Sequence, residues 1–102
     1  MSRSAYVYAI GREEGPVKIG ITSALGGRLS TIQTGCPFKV DILHYCEMST
    51  AEVAREIESD VHWVWKDRRL HGEWFDIDGD LAAEAIDGAV MTRDHFLSRD
   101  CK

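Results

Sequence analysis

Two short segments with alternating side-chain character, AYVYAIG at residues 5–11 and VKIGIT at residues 17–22, most strongly constrain how this chain can fold. Alternation with a period of two is typical of β-strands, whose successive side chains point to opposite faces of a sheet. The intervening REEGP is a charged turn that closes with Gly and Pro. The two segments are therefore predicted to pair as a hairpin.

The alternation also predicts which side chains share a face of this hairpin. In the first strand, one face carries Tyr6, Tyr8 and Ile10. In the second strand, the apolar face carries Val17, Ile19 and Ile21, and the opposite face carries Lys18, Gly20 and Thr22. Because the apolar trio belongs in a core, we expect the face with Lys18 to border solvent or a cleft.

The pattern then changes to helical periodicity. Leu25, Leu29 and Ile32 recur at helical spacing, with Thr22 or Ser23 as a cap, although Gly26 and Gly27 can instead form an irregular loop. A strand is predicted from Pro37 through residues 38–48. A helix follows, from a capping box at Ser49 and Glu52 to a stop at Gly72. A short extended segment in EWFDI precedes a last helix over about 80–98, with Asp80 as its cap and Phe96 among its apolar positions.

This order, ββαβα followed by a short strand and a C-terminal helix, predicts an α+β fold with a small, mostly antiparallel central sheet flanked by helices. A chain of 102 residues suits one domain over residues 1–102, with a core over residues 5–77. No apolar run approaches the length of a membrane span, and the N-terminus lacks the apolar stretch of a signal peptide. We therefore expect a cytoplasmic protein with no membrane partner.

The net charge of −5 is unevenly distributed. Residues 1–46 carry five Lys/Arg against three Asp/Glu, whereas residues 47–102 carry seven against fourteen. A polyanion would therefore meet the first part of the chain, and the acidic second part is suited to a homodimer contact or a protein partner. Three cysteines without C-x-x-C spacing predict packing residues rather than a disulfide framework, and their spacing with His44 and His71 fits no common zinc finger.

A few residues have the chemistry that phosphodiester cleavage requires: a group near the nucleophilic water and cations on the phosphate. Lys18 lies on the non-core face of its strand, and the planar guanidinium of Arg28 can bind phosphate oxygens. Glu58 borders the apolar stripe of the long helix, and one carboxylate can hold a magnesium ion whose other ligands are water and phosphate. Each residue also has an ordinary interpretation, such as a solvated lysine or a helix-surface ion pair.

Taken together, YVY at residues 6–8, KIG at 18–20, Arg28 and the helix segment AREIESDVH resemble the GIY-YIG nuclease superfamily. The resemblance is greatest to a phage and bacterial branch whose second motif reads KIG and whose domain ends in GEWF, here residues 72–75. It covers roughly residues 5–77. Two positions depart from the usual pattern, because Tyr6 replaces the glycine of the first motif and Lys18 replaces the tyrosine of the second.

The resemblance implies a metal-dependent endonuclease that cleaves double-stranded DNA with Mg²⁺ or Mn²⁺. Tyr8 and Lys18 would lie near the nucleophilic water, Arg28 would bind the phosphate, and Glu58 would hold the metal. The substrate-binding residues expected beside them are Tyr6, Thr22 and His62. A lysine in place of the second tyrosine also leaves open a catalytically inactive module that binds nucleic acid or, through Trp63, Trp65 and the acidic second part, another protein.

Overall fold

A six-stranded antiparallel sheet forms the centre of the computed structural model, which describes residues 4–93 and 98–101. The strands are β1 (Ala5–Gly11), β2 (Val17–Thr22), β3 (Asp41–Met48), β4 (Arg69–His71), β5 (Trp74–Phe75) and β6 (Ser98–Cys101). Their order across the sheet is β4-β5-β2-β1-β3-β6. The predicted hairpin is confirmed, since β1 and β2 pair with Tyr8 opposite Gly20 and Ile10 opposite Lys18.

Three helices flank the sheet: α1 (Leu25–Thr34), α2 (Ala51–Val64) and α3 (Gly79–Arg93). Helices α2 and α3 pack on one face of the sheet, where the larger core forms, and α1 packs on the other face. The predicted α+β class with a flanked antiparallel sheet is therefore confirmed. None of the helices in residues 4–93 combines the length and the apolar character that crossing a bilayer requires.

The two faces of the hairpin separate as the alternation predicts. Val7, Val17 and Ile19 are fully buried in the larger core beneath Ile57 and Val61 of α2. The opposite face forms a smaller core around Tyr8, Ile10, Ile32 and Val40, against which Leu25, Leu29 and Trp74 pack. The small core therefore joins helix α1 to the face of the sheet that carries Lys18 and Gly20.

Strand β3 begins later than predicted, at Asp41 rather than at Pro37. The amide of Gln33 at the end of α1 binds this part of the chain, because its Nε2 donates to the Phe38 carbonyl at 2.9 Å and its Oε1 accepts from the Val40 N–H at 2.9 Å. These bonds replace the ladder bonds that a strand would make. The predicted extension over residues 37–40 is therefore wrong.

Helix α2 ends at Val64, eight residues before the predicted stop at Gly72. A 3-10 turn over Lys66–Arg68 and strand β4 follow, and β4 pairs with β5 across a tight turn. Gly72 lies in that turn with a φ of 58°, a conformation that L side chains rarely adopt. The glycine is therefore a hairpin residue rather than a helix terminator, and the prediction of a longer helix is wrong.

The C-terminal helix is also shorter than predicted, because α3 ends at Arg93, before the predicted end at 98. Phe96 lies outside the described residues. Strand β6 pairs with β3, whose outer edge would otherwise leave backbone N–H and C=O groups unpaired. The cap differs as well, since Asp78 rather than Asp80 accepts from a helix N–H, that of Leu81 at 2.8 Å.

One cysteine departs from the sequence-based expectation. Cys46 of β3 is disulfide-bonded and Cys36 is free. The β3–β6 pairing places Cys101 in register with Cys46, a proximity that sequence spacing does not reveal. The expectation of unlinked packing cysteines is therefore wrong for Cys46.

The caps of α1 and α2 lie one or two residues after the predicted positions. Thr50, not Ser49, caps α2, and its Oγ1 accepts from the Val53 N–H at 3.1 Å. Helix α1 starts after Ala24, whose N–H donates to Thr22 Oγ1 at 3.1 Å, and it includes Gly26. The Ser49 hydroxyl is buried without a hydrogen-bond partner among the described residues.

Replacing Thr50 with alanine is expected to lower the free energy of unfolding by about 1 kcal/mol, because the Val53 N–H loses its acceptor. Urea titration followed by circular dichroism measures the change. Ser49→Ala is the matched control and is expected to leave stability unchanged or slightly raised, since it removes an unpaired buried hydroxyl. A larger loss of stability with Ser49→Ala than with Thr50→Ala would show that Ser49, not Thr50, caps the helix.

Candidate functional site

The candidate site lies at the edge of β2, where its partner strand is too short to cover it. Strand β5 pairs only with Val17 and Lys18. Beyond them, the Ile19 N–H donates to the Glu73 carbonyl at 3.0 Å, and His62 Nε2 lies 2.9 Å from the Ile19 carbonyl oxygen. The backbone of this edge is therefore satisfied by Glu73 and His62, which brings both residues to the same place.

Tyr8 lies across the hairpin from Gly20, and this pair has no room for a side chain on Gly20. A Cβ at residue 20 would lie 2.5 Å from Tyr8 Oη and 2.8 Å from Glu73 Oε1. The phenol and the carboxylate thus both occupy the space above Gly20. Only glycine permits this close approach, so the KIG motif has a steric reason in this fold.

The environment of Tyr8 keeps its hydroxyl protonated. The residue is 1% exposed, and burial raises the pKa of Tyr8 to about 12. The charges of Glu73 and Glu58 contribute to this raised pKa, whereas the charge of Arg28 opposes it. At neutral pH the phenol is therefore a hydrogen-bond donor, not a base.

Three side chains near the phenol, those of Glu58, His62 and Glu73, lie close together and are of the types that bind a cation. Glu58 and His62 are four residues apart on α2, so they lie on one helix face, and Glu73 comes from the loop before β5. One ligand atom from each of the three lies within 4.8 Å of the other two. If His62 Nε2 donates its proton to the Ile19 carbonyl, Nδ1 carries the lone pair that can bind a cation.

Glu58 has a strongly perturbed acidity. Burial raises the pKa of Glu58 to about 7, with a further contribution from a hydrogen bond to Glu73 and from the charge of Glu73. Arg55 opposes this shift. Two carboxylates held together in this way compete for one proton or share a cation.

Glu73 is the site residue that sequence reasoning did not select, because GEWF was interpreted as the end of the domain and Glu73 as a residue that holds a turn. Its carboxylate lies beside Glu58, near the Tyr8 hydroxyl, and 3.8 Å from Lys18 Nζ. The sequence does show a carboxylate within the motif GEWF. Spacing along the chain could not place it in the site, since Glu73 is far from Gly20 in the sequence.

Lys18 and Arg28 border a groove next to this cluster. The groove has a volume of about 530 Å³ and lies between β2, α1 and the β4–β5 hairpin. Lys18 Nζ is 5.7 Å from the centre of the Trp74 ring, and Arg28 is exposed in α1. Two cations therefore face one groove beside two carboxylates, an arrangement that can bind an anion next to a metal ion.

Tyr6 and Thr22 lie on the same face of the sheet but outside this cluster. They pair with each other two residues along the strands from the pair of Tyr8 and Gly20. The ring of Tyr6 packs edge-to-face on that of Tyr45, with the ring centroids 5.7 Å apart. The Thr22 hydroxyl is bound to the backbone of Ala24. The structure thus brings together Tyr8, Lys18, Glu58 and His62, with Arg28 across the groove, and leaves these two residues at its margin.

The pKa of Glu58 predicts how stability depends on pH. The folded chain holds a proton on Glu58 up to about pH 7, whereas the unfolded chain releases it near the ordinary value of 4.5. The native state therefore binds more protons within this window, and its stability falls as pH rises through it. In metal-free buffer, Glu58→Gln is expected to flatten this fall and to be more stable than the parent above pH 7.

Urea unfolding between pH 4 and pH 9 measures the effect, with Glu52→Gln, exposed on the same helix, as the matched control. The control is expected to follow the parent. An unchanged pH dependence in Glu58→Gln would show that the Glu58 carboxyl titrates normally.

Comparison with known proteins gives one match. The family model of the T5orf172 domain matches residues 4–90, which include all the residues of the site. No curated protein and no solved structure matches the chain significantly. The matched range covers most of the sequence, and the domain is associated with phage and bacterial endonuclease-like proteins. The chain therefore belongs to the T5orf172 domain family.

Proposed function

We propose that this protein is a metal-dependent endonuclease of GIY-YIG type that cleaves phosphodiester bonds in double-stranded DNA. The observation that carries the proposal is the cluster of Glu58, His62 and Glu73 beside the Tyr8 phenol, with Lys18 next to it. Membership of the T5orf172 family supports a nuclease-like or DNA-binding role. A DNA substrate also agrees with a cytoplasmic site of action, which stays a prediction.

The donor set fits Mg²⁺ or Mn²⁺. Carboxylate oxygens suit both ions, and the imidazole of His62 favours Mn²⁺. The ligand atoms of Glu58, His62 and Glu73 lie within 4.8 Å of one another, which is close enough for them to bind one ion together. Glu58 and His62 would hold the ion, which would polarise the scissile phosphate and stabilise the charge on the leaving oxygen.

The other residues of the cluster would orient water and take its proton. The protonated Tyr8 hydroxyl would donate to the attacking water and fix its position. The Glu73 carboxylate, near that hydroxyl, would accept the proton of the water as its oxygen attacks phosphorus. Lys18, 3.8 Å from Glu73, would contribute positive charge where many GIY-YIG enzymes have a phenol.

Arg28 would bind the phosphate from across the groove. Its guanidinium is exposed and makes no hydrogen bond or ion pair with the described residues, so both of its edges are available to phosphate oxygens. Its charge also lowers the pKa of Tyr8, which indicates that the two groups interact electrostatically. A phosphate bound between Lys18 and Arg28 would therefore lie beside the cation site.

The alternative is a catalytically inactive GIY-YIG-like module that binds nucleic acid or a protein. Trp63 and Val64 at the end of α2 are 68% and 61% exposed. They border a groove of about 640 Å³ between α2 and α3 whose rim includes Asp60 and Glu84. This surface supports a protein partner or a homodimer contact through the acidic second part of the chain.

Supercoiled plasmid tests the proposal. Purified protein with Mg²⁺ or Mn²⁺ is expected to convert plasmid to nicked or linear DNA, and Arg28→Ala and Glu58→Gln are each expected to lower the rate at least a hundredfold. Lys39→Ala is the charge-matched control, because Lys39 is exposed and outside the site. It is expected to retain cleavage at saturating protein. Absence of nicking, or nicking unchanged in both site variants, would favour the inactive module.

Metal binding is expected to depend on pH because the cation replaces the proton on Glu58. Below about pH 7, the apparent affinity for Mn²⁺ should rise about tenfold per pH unit, and above it the affinity should level off. Electron paramagnetic resonance of free Mn²⁺ measures this without any cleavage assay. Glu58→Gln should bind Mn²⁺ weakly at every pH, and retention of the parent's pH dependence in this variant would exclude Glu58 as the ligand.

A further inference from the structure

The groove next to the proposed catalytic cluster has an apolar interior and a basic rim. It is lined by Trp74 of β5, by Phe38 of the loop before β3 and by Leu70 of β4. Lys18, whose Nζ lies 3.8 Å from Glu73, and Arg28 on α1 supply the positive charge of the groove. None of the proposed catalytic steps uses the aromatic interior, so this part of the groove needs another explanation.

The two aromatic rings form a corner that a flat group can enter. The centroids of Trp74 and Phe38 are 6.4 Å apart, with an angle of 78° between the ring planes. A cation lies over each ring, Lys18 Nζ at 5.7 Å from the Trp74 centroid and Arg12 Cζ at 5.0 Å from the Phe38 centroid. Because the flexible side chain of Lys18 reaches the Trp74 ring inside the groove, a planar group can replace it there.

Leu70 adds an apolar surface that the fold leaves uncovered. It is 58% exposed although it lies in a strand, and it borders the same groove. Exposed apolar side chains beside a phosphate-binding surface can act as wedges against stacked bases. The hairpin of β4 and β5 thus presents Leu70 and Trp74 to whatever enters the groove.

We propose that this groove binds an unpaired base of DNA immediately next to the phosphate held by Lys18 and Arg28. The inference rests on the proposed function and specifies its substrate class, namely duplex DNA with unpaired nucleotides at the cleavage position. An aromatic and apolar groove bordered by cations matches a nucleotide, whose base is flat and whose phosphate is anionic.

A base within an intact duplex cannot make this contact. Its faces are covered by its neighbours in the stack, and only its edges are accessible in the grooves. Trp74 and Phe38 are half-buried residues that line the groove, so a base must leave the stack to reach them. Unpaired nucleotides avoid the free-energy cost of extrusion, and this predicts a preference for interrupted duplexes.

The test measures binding in the presence of EDTA, so that cleavage plays no part. The probes are a fluorescein-labelled duplex with a short single-stranded gap and the same duplex without the gap, compared by anisotropy at one salt concentration. The parent protein is expected to bind the gapped duplex about tenfold more tightly. Leu70→Asp is expected to abolish this preference and to leave binding of the intact duplex within about twofold.

Matched variants separate the groove from general effects. Val64→Asp introduces the same charge at an equally exposed apolar residue of α2, and Trp63→Leu is the counterpart of Trp74→Leu. Trp74→Leu should reduce affinity for the gapped duplex about tenfold, whereas both controls should behave as the parent. Because Leu70 is exposed, Leu70→Asp remains decisive even if Trp74→Leu is destabilised.

Two results would overturn the inference: equal affinity of the parent for the two probes, or equal effects of Leu70→Asp and Val64→Asp. Plasmid nicking that requires Glu58, without any gap preference in binding, would contradict the base-binding groove and leave the proposed nuclease standing. A Leu70-dependent gap preference without nicking in either metal would contradict the nuclease and retain the groove as a DNA-binding site.

Discussion

The close approach of the Tyr8 phenol to the backbone of Gly20 is the constraint on which the site depends. It requires the β1–β2 register, which places the two residues opposite each other, and it requires a residue without a side chain at position 20. The space that the missing side chain leaves is shared with the Glu73 carboxylate. Burial of the phenol in the smaller core then keeps its proton in place.

The short strand β5 provides the second condition. A longer partner would cover the edge of β2 and pair its backbone, whereas two residues leave Ile19 to be satisfied by Glu73 and His62. Helix α2 packs on the opposite face of the sheet, yet its Glu58 and His62 reach this edge because the sheet does not extend there. Groups from both faces of the sheet therefore meet at one place.

Local sequence signals predicted the elements that depend on local physics. Alternation placed Lys18 on the face opposite the apolar trio and Tyr8 on one face of its strand with Tyr6 and Ile10, and helical periodicity located α1 and α2. The errors occurred where specific side-chain hydrogen bonds and strand pairing override the periodic pattern. Gln33 binds the backbone that was predicted as the start of β3, and pairing of β4 with β5 ends the helical pattern before Gly72.

The residues of the site were likewise only partly predictable from the sequence. Tyr8, Lys18, Arg28 and Glu58 were selected from the sequence because motif spacing along the chain marks them. Glu73 was not, because its role arises from a position above Gly20 and beside Glu58 that only the folded chain creates. The aromatic groove is equally non-local, since Phe38, Leu70 and Trp74 come from three separate segments.

The amino-acid sequence by itself determined the hairpin, the α+β class and the residue types available for phosphate chemistry, because each follows from short-range periodicity and composition. Tertiary structure alone decided which two carboxylates lie close enough to share a proton and which aromatic rings line the groove. Those properties depend on desolvation and on distances between residues far apart in the chain, and no spacing along one strand or helix contains that information.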